Sequence, residues 1–269
     1  MRMLCVLVVG AFAAGGVMAA ELPELQDKPW LGCFAGHEGR GFDFALGADG
    51  KTELFFKKGR NRVNIHARFK ISYVLEEQIK DRWVRRSISK DGFETEDKPS
   101  EDPEKLTFTA TFTGDTKVEI THEFEKSSVI IGTKIVGKGT ENPLRCGVSV
   151  MVADLYRHVE DRGLSERDLK KKIDAEIAGE TVKGERKKAD LYEKPELGGS
   201  DYFEGGAKWF SFESNKIAGK TMTLRSVVEG AGTIEVNQTK TAYNGFYLNW
   251  YVDPAKAETS GAQLEIEIK

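Results

Sequence analysis

The chain has 269 residues, of which 39% are hydrophobic and 31% are charged, and its formal net charge is −3. A chain of this length can bury a large apolar core within one or two domains. The weak negative charge excludes nucleic acid and anionic membranes as the main partners, because both require a basic face.

Residues 1–20 predict a secretory signal peptide that is cleaved after export. Arg2 supplies a positive start, residues 4–14 are apolar, and small residues then lead to cleavage after Ala19 or Ala20. The segment is rich in glycine and alanine, which makes it too weakly apolar for a spanning anchor. We therefore expect a periplasmic or secreted protein that does not insert into the membrane after cleavage.

The predicted mature chain contains two cysteines, Cys33 and Cys146. An even pair in an exported protein predicts a disulfide. Closing a loop of roughly 100 residues would stabilise the fold by about 4–5 kcal/mol in the chain-entropy model. Two buried free thiols are the alternative.

Apolar and polar residues alternate through most of 21–153, which is the period of half-buried β-strands. Phe42, Phe44 and Leu46 form one such strand, and the Asp-Gly turn at 47–50 predicts a hairpin to the next. Further strands are predicted at 65–73, 82–89, 106–112, 118–124, 129–136 and 146–152.

The segment 91–104 interrupts this alternation with seven acidic residues and two prolines. We interpret it as a solvated acidic loop. Calcium binding is the alternative, since carboxylate-rich loops can supply its oxygen ligands, but the spacing of an EF-hand is missing.

Residues 154–200 predict a helical and charged excursion from the strands. Ser165 has the character of an N-cap with an acidic residue three positions later, and Gly179 is the predicted helix end. Apolar residues recur at every fourth position between them: Leu169, Ile173 and Ile177.

Strand alternation returns in 201–269, which either completes the sandwich or forms a small second β domain. The predicted strands are 208–213, 222–228, 233–238, 243–252 and 263–268. The predicted fold class is all-β: mainly an antiparallel β-sandwich, for which a jelly roll is one fitting strand order, with one inserted helical segment.

The sequence contains none of the common catalytic motifs: nucleophile elbow, P-loop, zincin helix or C-x-x-C. No cofactor is expected. No metal site is expected either, because no two of the four histidines lie at ligand spacing. Strand alternation sends His122 inward, and we interpret it as a hydrogen-bonded core histidine rather than a site residue.

Two other groups of polar residues are weaker candidates. The glycine-rich segment 36–41 carries His37, Glu38 and Arg40, and is either a ligand-presenting loop or a plain connection. Two strands carry carboxylate pairs at alternate positions, about 7 Å apart, which suits acid–base work on a glycosidic bond. Ordinary solvation of a strand's wet side also explains both pairs: Glu123 with Glu125, and Glu265 with Glu267.

The strand at 243–252 is the best binding candidate. Its apolar face is opposed by a face that carries Tyr243, Tyr247, Asn249 and Tyr251. Aromatic rings stack on the C–H faces of sugars while amides and phenols pair with hydroxyls, and Trp209 could extend such a platform. The alternative is a strand that is buried on both faces.

These observations favour an exported, non-catalytic carbohydrate-binding protein, with a polysaccharide or a cell-envelope component as its partner. A glycan-processing hydrolase or lyase that uses carboxylates such as Glu123 and Glu125 is the second hypothesis. A structural envelope protein that binds other proteins is the third.

Overall fold

A computed structural model describes residues 22–63, 68–156, 159, 163–197, 202–254 and 262–269. The predicted signal peptide lies outside these residues. The described residues are 57% strand and 6% helix, and the predicted antiparallel β-sandwich with an inserted helix is confirmed. No helix in the described ranges is long and apolar enough to cross a membrane.

The described residues of the first half of the chain form twelve strands. They are β1 (Cys33–Glu38), β2 (Phe42–Gly47), β3 (Thr52–Lys58), β4 (Asn61–Arg62), β5 (Arg68–Ile79), β6 (Arg82–Arg86), β7 (Ile88–Glu94), β8 (Ser100–Glu101), β9 (Lys105–Phe112), β10 (Thr116–Phe124), β11 (Ser128–Gly137) and β12 (Leu144–Ala153). The predicted hairpin at 47–50 joins β2 to β3.

The second half adds the helix α1 (Glu166–Lys172) and seven strands. These are β13 (Ala175–Thr181), β14 (Arg186–Asp190), β15 (Ala207–Ser214), β16 (Lys220–Ser226), β17 (Gly232–Gln238), β18 (Gly245–Val252) and β19 (Gln263–Ile268). Short 3-10 turns occupy Leu191–Glu193 and Asn215–Ile217.

The strands form two layers. Sheet I has the order β7-β9-β10-β11-β19-β16-β15-β13-β14, and all its pairs are antiparallel. Sheet II has the order β8-β1-β2-β3-β5-β12-β18-β17, in which only β8 runs parallel to its neighbour. The strands of 201–269 therefore enter both sheets. One residue pair, Ala207 with Ile234, joins β15 to β17 and connects the sheets.

The core lies between the two sheets and follows the alternation of the sequence. In β9 the apolar side chains are buried and the intervening threonines are half-exposed. Rings from opposite sheets meet in the middle: Phe212 of β15 lies 6.4 Å from Phe69 of β5 and 5.3 Å from Phe246 of β18, between ring centroids. Both layers therefore share one continuous core.

The predicted helix is correct at its start and wrong at its end. Ser165 is the N-cap, and its side chain accepts the backbone N–H of Asp168. The helix stops at Lys172, and Ile177 and Gly179 belong to β13 instead. A Cβ on Gly179 would lie 2.7 Å from the ring of Phe203, so glycine here admits a packed ring and does not end a helix.

The acidic segment 91–104 also contains strand structure. Part of β7 and all of β8 lie within it. The carboxylate of Asp97 accepts the backbone N–H of Thr107 at 2.6 Å, and that of Asp102 accepts the N–H of Glu38 at 2.7 Å. These carboxylates therefore bind the backbone of strands β9 and β1, and no cluster in the described residues could hold a metal ion.

Candidate ligand-binding site

Tyr247, Asn249 and Tyr251 of β18 lie on the outer side of sheet II, whereas Tyr243 precedes β18 and belongs to the core. Tyr243 is only 3% exposed and Tyr251 only 5%. Tyr247 and Asn249, between them along the chain, are half-buried. The structure therefore does not contain the predicted open platform of three tyrosines, because Tyr243 packs into the core and a side chain of a neighbouring strand covers Tyr251.

Arg145 of β12 is the side chain that covers Tyr251. Its guanidinium carbon lies 3.8 Å from the centroid of the Tyr251 ring and 4.7 Å from that of Trp83. Glu76 Oε2 accepts from Arg145 Nε at 2.8 Å, and Glu235 Oε1 accepts from Nη1 at 2.8 Å. The Tyr251 hydroxyl donates to the other oxygen of Glu76 at 2.7 Å.

This cluster is internally satisfied. Burial raises the pKa of Tyr251, and its hydrogen bond to Glu76 raises it further. Burial alone would lower the pKa of Arg145, but Glu76 and Glu235 outweigh that effect and the pKa is raised. The cluster therefore stabilises sheet II and offers few free groups to a ligand.

Beside this cluster the outer face of sheet II is polar. Ser149 donates to the amide oxygen of Asn249 at 2.6 Å, which turns the amide nitrogen of Asn249 away from that bond. Tyr247 lies opposite Met151 on one side and Asn237 on the other. This surface could support a weak polar contact but forms no enclosed site.

Trp209 lies on the other sheet, away from the tyrosines. It sits on the outer side of β15, half-exposed, between Glu180 of β13 and Arg225 of β16. Here it lines a cleft of about 420 Å³. The cleft residues are Glu180, Val182, Lys208, Trp209, Arg225, Ser226, Glu229, Gly230, Gly232 and Thr233.

The cleft forms where sheets I and II meet. β15 and β17 share a single pair of residues, so the chain leaves space beside that contact. Glycines let the walls approach: a Cβ on Gly206 would lie 2.4 Å from Thr233, and one on Gly232 would lie 2.5 Å from the Trp250 indole. Larger residues at these positions would disturb the wall that β17 contributes.

The polar groups of the cleft are charged and oriented by one another. Lys208 Nζ lies 3.0 Å from Glu180 Oε1 and 3.8 Å from Glu229 Oε1. The hydrogen bond from Lys208 lowers the pKa of Glu180. Arg225 Nε donates to Glu265 at 2.7 Å, and this bond raises the pKa of Arg225. Donors and acceptors therefore both surround the half-exposed indole.

The two predicted carboxylate pairs are occupied by partners in sheet I. Lys105 Nζ lies 2.8 Å from Glu123, and Ser128 donates to Glu125 at 3.0 Å. Glu265 binds Arg225 as described, and Lys269 Nζ lies 2.8 Å from Glu267. Each of these carboxylates thus has its own hydrogen-bond or ion-pair partner. This arrangement agrees with the interpretation of the pairs as the polar sides of their strands.

The segment with His37, Glu38 and Arg40 is not the loop that its glycines predict. His37 and Glu38 belong to β1, and only Arg40 lies in the turn to β2, where its side chain is exposed. His37 Nε2 lies 3.2 Å from the Glu125 carbonyl oxygen, and its ring packs 5.0 Å from that of Phe124. Pairing of β1 with β2 and β8 fixes this backbone.

The predicted disulfide is absent, and Cys33 and Cys146 are free thiols. Cys33 lies on β1 and Cys146 on β12, with three strands of sheet II between them. Neighbouring strands are about 4.8 Å apart, whereas a disulfide requires Cα atoms within about 7 Å. Burial raises the pKa of Cys146 to about 11 and also raises that of Cys33.

No protein-family model matches this sequence, and no curated protein matches it. An α-N-acetylgalactosaminidase, NagBb from Bifidobacterium bifidum solved with GalNAc, aligns with 87% of the chain at 8% identity and a TM-score of 0.48. A galactose mutarotase related enzyme from Lactobacillus acidophilus aligns with 87% at 11% identity and a TM-score of 0.42. The chain spans 35% of the first structure and 96% of the second. Similarity at this level assigns neither an activity nor a ligand.

Proposed function

We propose that the protein is an exported carbohydrate-binding protein and that its binding site is the cleft beside Trp209. The observation that carries this proposal is the partly exposed indole of Trp209 on the wall of a cleft of about 420 Å³. Ligand pockets commonly measure about 300–1,000 Å³, so a sugar unit has room to enter.

The chemistry of the lining suits a sugar. The face of an indole packs against the C–H face of a pyranose, and this contact excludes water from both. Carboxylates accept hydrogen bonds from hydroxyl groups, while ammonium and guanidinium groups donate to them. Glu180, Lys208 and Arg225 supply both kinds of group around the indole. The signal-peptide pattern of residues 1–20 supports export.

The test is electrophoresis of the purified protein through gels that contain different polysaccharides. We expect one polymer to retard the protein, and the Trp209→Ala variant to lose that retardation. Trp83→Ala is the control, because Trp83 is also partly exposed but lies outside the cleft, beside Arg145. Circular dichroism checks that each variant is folded.

Tryptophan fluorescence gives an independent reading of the same site. Trp30 and Trp250 are only 2% and 0% exposed, so a sugar bound at the surface cannot contact them. A sugar in the cleft should therefore change mainly the emission of Trp209. Trp209→Phe should abolish this change and Trp83→Phe should preserve it. Uniform mobility of folded protein in every gel, with constant emission, would reject carbohydrate binding. Release of reducing ends from a retarding polymer would assign a glycan-processing enzyme instead.

A further inference from the structure

One exposed valine, Val182, lines the Trp209 cleft, and two more, Val227 and Val228, lie in the chain between two of its lining residues; we call these three the valine rim. Val182 is 39% exposed. Val227 and Val228 are 46% and 59% exposed, and they connect Ser226 to Glu229, both of which line the cleft. Only four other large hydrophobic side chains in the described ranges are exposed to this degree: Leu31, Ile79, Val84 and Val136.

The valine rim adds exposed apolar surface, which a site for an unmodified sugar does not need. Aromatic stacking and charged hydrogen-bonding groups are sufficient for a ring that carries only hydroxyl groups. Contact between a valine methyl group and a hydroxyl adds no favourable binding free energy. Contact with an apolar substituent does, because burial of apolar surface is favourable. The rim therefore indicates a ligand with a small apolar group attached to the sugar.

We propose that the cleft selects acetylated sugar units, which carry an acetamido or acetyl ester group. This inference rests on the proposed function of the cleft and names its ligand class. The acetyl methyl group would lie against the valine rim, and the acetyl carbonyl oxygen would accept a hydrogen bond from Lys208 or Arg225. The ring itself stacks on Trp209.

The charges of the cleft agree with a neutral acetyl group. Lys208 and Arg225 are balanced by Glu180, Glu229 and the Glu265 partner of Arg225. Neither sign of charge dominates, so the lining does not call for an ionic substituent. A neutral group that combines a methyl with a hydrogen-bond acceptor matches both the rim and the donors.

The experiment compares matched ligands that differ in acetylation. The first pair is a fully N-acetylated chito-oligosaccharide and a cello-oligosaccharide of equal length, which has a hydroxyl in place of each acetamido group. The second pair is an acetylated xylan and the same xylan after removal of its esters. Binding is measured by calorimetry and by Trp209 fluorescence.

We expect the acetylated member of at least one pair to bind about tenfold more tightly. Burial of one methyl group together with one hydrogen bond is sufficient for a difference of this size. Val182→Thr and Val228→Thr should reduce this preference, since each replaces a methyl with a hydroxyl. Val136→Thr is the control: Val136 is 49% exposed on β11, a strand that contributes no residue to the cleft, and the substitution should leave the preference unchanged.

The outcomes separate the two proposals. Equal affinity within both pairs, with binding that Trp209→Ala abolishes, overturns acetyl selection and leaves carbohydrate binding intact. A preference that survives Val182→Thr and Val228→Thr also overturns the role of the rim. Absence of binding to any glycan, with self-association that Val228→Thr removes, would instead show that the valines join copies of this chain.

Discussion

The hydroxyl group of Tyr73 on β5 lies 3.0 Å from Nε2 of His122 on β10, and this contact bridges sheets II and I inside the core. The His122 ring is 0% exposed and stacks with Phe108 at 5.7 Å and with Phe124 at 5.9 Å, between centroids. Its Nδ1 atom has no hydrogen-bond partner among the described residues. The prediction of a hydrogen-bonded core histidine is confirmed.

We expect this histidine to make the fold sensitive to acid. Burial lowers the pKa of His122 from 6.5 to about 3, so the folded protein keeps the ring neutral while the unfolded chain takes up a proton below pH 6.5. Its stability contribution is therefore complete above pH 6.5 and falls as the pH drops from there toward 3. The loss should approach about 1.4 kcal/mol per pH unit for one proton.

Urea unfolding at pH 7.5, 5.5 and 4.5 measures this loss. His122→Phe provides the comparison, because phenylalanine suits the aromatic surroundings but cannot be protonated. The variant should be less stable at pH 7.5, where it lacks the Tyr73 hydrogen bond, and should lose less stability on acidification. Parallel pH profiles for the two proteins would show that other groups cause the acid sensitivity.

The second prediction concerns the hydroxyl of Tyr251. Tyr251→Phe removes the hydrogen bond to the buried carboxylate of Glu76 but keeps the ring under Arg145. We expect a loss of about 1–3 kcal/mol in the free energy of unfolding, because hydrogen bonds to charged groups are stronger than neutral ones. Tyr247→Phe, on the same strand face but half-buried, should change stability by less than about 0.5 kcal/mol. Equal effects of the two substitutions would contradict the importance of the Glu76 contact.

Alternation in the sequence was sufficient to place most of the core. Phe42, Phe44 and Leu46, the alternating apolar residues of one predicted strand, are each 0% exposed. Alternation works in strands such as β9 and β19, which have one face on the shared core and the other face partly exposed. It also placed Tyr247, Asn249 and Tyr251 opposite the apolar face of their strand, and this side is the outer face of sheet II.

The exposure of that outer face could not be predicted, because it depends on partners far away in the chain. Tyr251 is covered by Arg145, and Glu76 and Glu235 fix the position of Arg145 through pairings that only the folded sheet provides. The Trp209 cleft has the same origin, since it arises where β15 meets β17. Local spacing contains no information about either contact.

The third prediction concerns the thiols. Because Cys33 and Cys146 are free, the Tm of the protein should be unchanged by a reducing agent. Cys146 is buried and its pKa is raised to about 11, so it should react with a thiol reagent only after denaturation. Cys33 is partly exposed and should react first in the native protein. If a reductant lowers the Tm, or if the number of reactive thiols rises after reduction, Cys33 and Cys146 form the disulfide and this prediction is wrong.

The last prediction tests how closely β12 and β18 approach behind the Arg145 cluster. Gly147 pairs with Tyr251, and a Cβ at this position would lie 1.9 Å from the Trp250 carbonyl oxygen. That oxygen belongs to the backbone, so it cannot move aside without separating the two strands. Gly147→Ala should therefore reduce the free energy of unfolding by more than about 2 kcal/mol.

Gly137→Ala is the matched control for this substitution. Gly137 ends β11, and its nearest neighbour would lie 3.5 Å from an added Cβ, at an ordinary contact distance. We expect no loss of stability there, or a gain of about 0.4–1 kcal/mol, because alanine restricts the unfolded chain more than glycine does. Urea unfolding measures both variants, and near-ultraviolet circular dichroism reports on Trp250 and Tyr251. If Gly147→Ala is as stable as Gly137→Ala, the strands must be able to separate at Gly147 without cost, and the close packing inferred for this part of sheet II is wrong.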